Sequence, residues 1–525
     1  MSSTAQNLPH DILRELFEHL AAVDPPDFKD EMDMFSLGWI LATHVCGRWR
    51  EVGLSVATLW ADVVCTFPSV PIAEELVTRA RGCLLDIAVG HFPPDLKPGF
   101  PAPHLPISWG LQYLQRAHTF RCDVERWSTF SDDHPTARAA LISTLPLLKH
   151  LRLDCKITQI DDPLPVIQLD CPALLTAEFR DILPHSSSTA NTLRRLALDL
   201  GRVRLDDISP ILGALREMLS LEDLKLGLGS YDTLPLSTHA VVHLERLRTL
   251  RAVCASEQQA SDLFDYMSAP NITHTSIHIS AKLRDGRIFA RAVAQKQQSL
   301  LLTGTISITE SRLQLEGTGP EHAVLELGWS TRAMLRRDNV TMTYASVLSA
   351  LSRHIDLSRF TACALQCPKG SGQDESVDAV LAVLRKAFVS IKTLTIHGAP
   401  TPTALKTLLG RPSGEPSALP FPALDTLCVG GAYRSSHIWQ MLGSREPAVH
   451  QESTVPSYWT TFLDVLLSRF RGGHPVRCLC LDGVWCEHEV WGDEGDKRSC
   501  LKLGLVSEIT DKREYIVKCR SCTRE

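Results

Sequence analysis

Apolar residues return along this chain in the spacing LxxLxL, and that spacing narrows the possible folds more than any other feature. It occurs at Leu148/Leu151/Leu153, in weaker form at Leu174/Ala177/Phe179, then at Leu193/Leu196/Leu198, Leu221/Leu224/Leu226 and Leu247/Leu250. After a gap it returns at Ile391/Leu394/Ile396, Leu424/Leu427/Val429 and Val476/Leu479/Leu481. The last two residues of each set are two apart, which puts them on one face of a β-strand. Leu145-Pro146, Cys171-Pro172 and Phe421-Pro422 supply turn residues ahead of three of the sets. From Leu151 to Leu250 the middle residues are 26, 19, 28 and 26 residues apart, so the repeat is irregular.

Between these strands the periodicity becomes helical. Asp206 to Leu219 carries Ile208, Ile211, Leu212, Leu215 and Leu219 on one side, and Ser261–Met267, Val377–Phe388, Thr403–Leu409 and Tyr458–Phe470 read the same way. Strand followed by helix at steps of about 25 residues predicts an α/β chain built as an irregular leucine-rich-repeat-like solenoid. Its leucines are core: they define architecture and carry no chemistry. Two stretches fit poorly. In 64–140 a helix, Ile72–Ala80, leads into an apolar strand, Cys83–Val89, and then a surface loop, His91–Ser108, with six prolines. In 280–376 the alternation of TGTISITES and HAVLELGW, ahead of the polar loop Pro368–Ser376, fits either degenerate repeats or an inserted β-rich segment. The expected layout is a helical unit at 1–63, a linker and first irregular repeat at 64–140, a repeat body at 141–485 and a tail at 486–525.

Composition excludes several functions. With 54 basic against 60 acidic residues, the net charge of −6 gives no patch of the kind nucleic acid demands. No apolar run is long enough to cross a membrane, and MSSTAQNLPHD lacks a secretory signal's apolar stretch. The 16 cysteines are scattered, several inside apolar runs, which suits reduced thiols in cytoplasm or nucleus.

The N-terminal segment has a pattern of its own. In LPHDILRELFEHL, Leu8, Ile12, Leu16 and Leu20 recur every four residues, with Leu13 and Phe17 beside them, on a helix that Pro9 opens. After an acidic insert (Ala21–Ile40), Val45, Cys46 and Trp49 predict a second amphipathic helix, and Leu59-Trp60 follows. Such short helices bury too little to stand alone, so their apolar faces must dock on something. The order Leu-Pro, spaced Ile and Leu, Val-Cys-x-x-Trp-Arg and Leu-Trp resembles an F-box, above all those of mushroom-forming fungi. The resemblance covers about a tenth of the chain, and the long acidic insert departs from it. It implies that Leu8, Pro9, Ile12, Leu13, Leu16, Val45, Cys46 and Trp49 meet a Skp-type adaptor, which joins the chain to a cullin ubiquitin ligase. The body would then hold a target protein. A repeat scaffold that binds partners without a ligase is the alternative.

Candidate chemistry is sparse. No GxSxG, HExxH or GxGxxG is present, Lys369-Gly-Ser-Gly lacks the order of a phosphate loop, and Asp132-Asp133 and Asp161-Asp162 fit solvated corners. No enzyme activity and no cofactor are expected. Cys519-Arg-Ser-Cys522 has the spacing of half a zinc site, but Cys486, His488 and Cys500 do not complete four ligands, so no metal is expected. Target binding is expected on the strand residues between the leucines: Arg152, Arg194, Arg195 and Lys225, with Lys149, His150, Glu222, Asp223, Lys392, Thr393 and Asp425. Their mixed charges suit a protein partner.

Overall fold

The computed structural model shows a mixed α/β protein with parallel sheets. It describes residues 8–29, 34–90, 105–124, 143–155, 164–186, 191–201, 208–229, 241–279, 304–309, 312–317, 324–329, 349, 352–353, 356–366, 384, 388–397, 408–409, 419–430, 458–486 and 494–516. The chain divides into two compact units, Met1–Leu250 with Tyr266–Asn271, and Arg251–Asp265 with Ile272–Glu525.

The first unit opens with α1 (His10–Val23), whose N-cap is Pro9. The acidic insert continues α1 to Val23, then holds an antiparallel pair, Asp27–Lys29 with Met34–Ser36, and the start of a 3-10 helix, Gly38–His44. Then come α2 (Gly47–Ser55), α3 (Ala57–Ala61) and α4 (Val70–Ala80), the last with proline in its first turn. The expected second helix is therefore shorter at its start. Val45 caps the 3-10 helix and Cys46 is extended ahead of α2, so of the three motif residues only Trp49 is helical.

Six parallel strands follow: β1 (Leu85–Gly90), β2 (Ala117–Val124), β3 (His150–Cys155), β4 (Thr176–Arg180), β5 (Arg195–Leu200) and β6 (Asp223–Leu228). The ladder begins at Leu85, well before residue 141. Its register aligns the LxxLxL residues: Ile87, Phe120, Leu151, Ala177, Leu196 and Leu224 form one row, and Val89, Cys122, Leu153, Phe179, Leu198 and Leu226 the next. Every member is buried. Stacking these rows strand on strand produces one continuous core.

One backbone device recurs at the strand entrances. The Lys149 carbonyl accepts from the amides of Leu175 and Thr176, at 2.9 and 3.0 Å. The Leu175 carbonyl does the same for Arg194 and Arg195, that of Arg194 for Glu222 and Asp223, and that of Glu222 for Arg248 and Thr249. One carbonyl holding two successive amides sets each strand against the last whatever the intervening length. Of the helices, Ser209–Arg216 packs Ile211, Leu212 and Leu215 inward, shorter than the 206–219 expected, with Pro210 in its first turn.

The second unit carries β7 (His274–Ile279), β8 (Gly304–Thr309), β9 (Arg312–Gly317), β10 (Val324–Trp329), β11 (Phe360–Gln366), β12 (Thr393–His397), β13 (Thr426–Gly430), β14 (Cys478–Cys486) and β15 (Glu508–Ile516). The described residues of 280–376 are mostly strand. β8, β9 and β10 form an antiparallel meander, flanked by parallel pairings of β10 with β7 and of β8 with β11. From β11 to β15 all pairings are parallel and the carbonyl device returns, at Lys392, Asp425 and Arg477. Helices Glu257–Tyr266 and Tyr458–Arg471 match expected helical runs. Most of the runs expected at 377–388 and 403–409 lies outside the described residues.

Candidate docking surfaces

The N-terminal helices sort their apolar residues into two sets. Leu13 and Phe17 are wholly buried, and Phe17 stands edge-on to Trp39 (centroids 6.1 Å, 84°) and to Trp49 (6.0 Å, 68°). Trp39 packs on Trp60 at 4.9 Å, Trp60 Nε1 donates to the Gly53 carbonyl at 2.9 Å, and the Arg79 guanidinium covers the Trp60 ring at 4.8 Å. Edge-to-face aromatic pairs add to area burial. Close approach is needed twice here. A Cβ on Gly53 would meet Thr43 and Phe17 at 2.9 and 3.0 Å, and Gly38 sits at φ +51 with the Asp24 carbonyl where its Cβ would be.

The other set faces outward. Ile12 is 43% exposed, Leu41 57% and Val45 55%, with Leu37 and Leu54 also exposed. Leu8, Leu16 and Cys46 are half-buried and Pro9 is exposed. The expected adaptor face therefore needs correcting. Leu13 is 0% exposed, because it lies on the flank of α1 that faces the aromatic core, and it cannot touch another protein. Trp49 is half committed inward, to Phe17. Leu41, which the motif does not single out, is the more exposed residue.

The second surface is the face of β1–β6 opposite the leucines. Register places Asp86, Thr119, His150, Thr176, Arg195 and Asp223 in one row. A second row runs Ala88, Arg121, Arg152, Glu178, Ala197 and Lys225, and a third Gly90, Asp123, Asp154, Arg180, Asp199 and Gly227. The third row pairs internally: Arg180 reaches Asp154 at 2.7 Å and Asp199 at 3.3 Å. Desolvation pulls the Arg180 pKa down, but Asp154, Asp199 and Asp181 outweigh it and leave it raised. Arg152 lies 3.8 Å from both Asp154 and Glu178.

All four expected target-binding cations are exposed. Arg194 precedes its strand and stands 3.8 Å from Glu222. Arg195 and Lys225, with Lys149, have no carboxylate within ion-pairing distance among the described residues. His150 packs edge-on to His118, ring centroids 5.3 Å apart. Desolvation first, then His118, Arg195, Lys149 and Arg121, lower its pKa. The first row and the strand entrances thus mix the cations Lys149, Arg194 and Arg195 with Asp86, Glu222 and Asp223, while in the third row Arg180 pairs with Asp154 and Asp199.

Glu74 ties α4 to the helix Ile107–Gln112 and its C-cap Tyr113. It accepts from Trp109 Nε1 and from the Tyr113 hydroxyl, both at 2.6 Å, and the second bond pushes the Tyr113 pKa up to about 12. Among the described residues no cluster of three metal-ligating side chains occurs. Cys519, Cys522 and His488 lie outside the described residues, as do Lys369, Asp132-Asp133, Asp161-Asp162 and most of the proline-rich loop. No helix among the described residues is long and apolar enough to cross a membrane. No known protein-family model matches the chain, and no curated protein matches it.

Proposed function

We propose that this chain is the substrate-recognition subunit of a Skp–cullin–F-box ubiquitin ligase. Its N-terminal helices act as an F-box, and its strand–helix body acts as an irregular leucine-rich-repeat-like solenoid that holds a target protein. The observation that carries the reading is the division in the helical segment. Its aromatic core closes on itself, yet Ile12, Leu41 and Val45 stay more than two-fifths exposed beside half-buried Leu8, Leu16 and Cys46. Apolar residues clustered on short helices and kept out of a core that is already filled are best used against a partner.

A receptor of this kind makes and breaks no bonds. It raises the local concentration of target near the ubiquitin thioester carried elsewhere in the complex. Neither metal nor cofactor enters, and the chain works in cytoplasm or nucleus. The test is affinity purification of the full chain followed by mass spectrometry. Adaptor and cullin recovered together support the proposal. Recovery of other partners with neither of them favours a binding scaffold without a ligase.

A further inference from the structure

Cys428 on β13 and Cys480 on β14 are register partners on neighbouring parallel strands. Such strands run about 4.8 Å apart, inside the Cα separation of about 4.4–6.8 Å that a disulfide spans. The register is locked on either side by Leu427 with Leu479 and Val429 with Leu481, all four buried. Alternation therefore turns both cysteines to the opposite face, where each is partly exposed and the two thiols are hydrogen-bonded to each other. Among the described residues, the other cysteines lack this combination. Cys478 shares the face but stands beside Thr426 and Glu508, and Cys122 and Cys155 are near one another yet both buried.

We propose that Cys428 and Cys480 form a dithiol–disulfide site that exchanges with low-molecular-weight disulfides of the glutathione class. The thiolate of one cysteine of the pair attacks one sulfur of the small disulfide, whose S–S bond breaks, and the departing thiolate takes up a proton. The other cysteine then gives up its proton and attacks the sulfur of the first, expelling the second small thiol, which takes up that proton. Two protein S–H groups are oxidised to one S–S bond while the small disulfide is reduced to two thiols. Burial, and next the charge of Cys428, push the Cys480 thiol up to about 11.

The full-length reduced protein is equilibrated with oxidised glutathione, its remaining thiols are alkylated under denaturing conditions, and the digest is read by mass spectrometry. The expected result is a linked peptide joining Cys428 to Cys480, lost on reduction, retained in Cys478→Ser and absent in Cys428→Ser. The near-UV spectrum before and after oxidation checks that the fold is unchanged. Recovery of Cys428 and Cys480 as alkylated thiols, as two separate glutathione adducts, or with Cys428 joined to Cys478, overturns the proposal.

Discussion

Arg180 donates from Nη1 to Asp154 Oδ2 at 2.7 Å, and the carboxylate that it reaches is almost entirely buried. The other Asp154 oxygen has no hydrogen-bond partner, and Arg152 stands off at 3.8 Å. Arg180 is therefore the main compensation for a charge held away from water. Arg180→Ala should destabilise the protein by about 2 kcal/mol or more, because the buried acceptor remains. Adding Asp154→Asn should restore much of the loss. Equal urea midpoints for Arg180→Ala and the wild type would refute this.

The division in the N-terminal helices predicts opposite behaviour for neighbouring residues. Trp39→Ala should cost about 3–5 kcal/mol, as large core truncations do. Ile12→Asp with Val45→Asp should leave the melting temperature nearly unchanged and remove adaptor from the purified complex. Adaptor recovery with that double variant, judged by quantitative mass spectrometry, decides whether the outward set is an interface.

Target capture should depend on Lys149 and Arg195 more than on Arg152. Reversing Arg152 would place a carboxylate near Asp154 and Glu178 and so disturb the fold. Lys149→Glu with Arg195→Gln adds no carboxylate beside Asp223, and should deplete co-purifying targets while sparing the adaptor. Unchanged target recovery would move recognition off this face.

His150 makes the same region sensitive to pH. Its pKa is lowered in the folded chain, with desolvation the leading cause, so the unfolded chain binds the proton more readily. Its contribution is present above the ordinary histidine value, about 6.5, and is lost as pH falls below it. His150→Asn should flatten the acid limb of a melting-temperature profile. An identical limb in both proteins would show that His150 is not responsible.

Arg469 is buried and donates to the carbonyls of Pro420 and Phe421, at 2.6 and 2.8 Å. Burial pulls its pKa down to about 10, so it stays charged at neutral pH. Arg469→Lys keeps the charge but cannot span both acceptors. It should lower stability by about 1–3 kcal/mol, measurable by urea unfolding.

The parallel strands were legible where their anchors are aliphatic. Leu151, Leu196 and Leu224 announce themselves by spacing, as do Leu394, Leu427 and Leu479. β2 was not, because Phe120 and Cys122 take the leucine places in a polar context. β15 was hidden for a sharper reason: Asp511 occupies the position that Leu481 holds on the neighbouring strand. Arg513 and Lys497 pair with it, which makes an acid tolerable there. At the docking surface, periodicity located the apolar stripe of α1 but not which flank lies inside. That was settled by Trp39, which comes from within the acidic insert and draws Phe17, and Leu13 with it, inward.

Strand entrances held by one carbonyl and two amides carry a consequence for how such a chain changes over generations. The spacing of the sheet is written in the main chain at each entrance, so it does not depend on how many residues lie between one strand and the next. Steps of 19 and 28 residues end in the same geometry. Segments between strands can then be lengthened, shortened or exchanged as cassettes, each new one mounted on an unaltered frame.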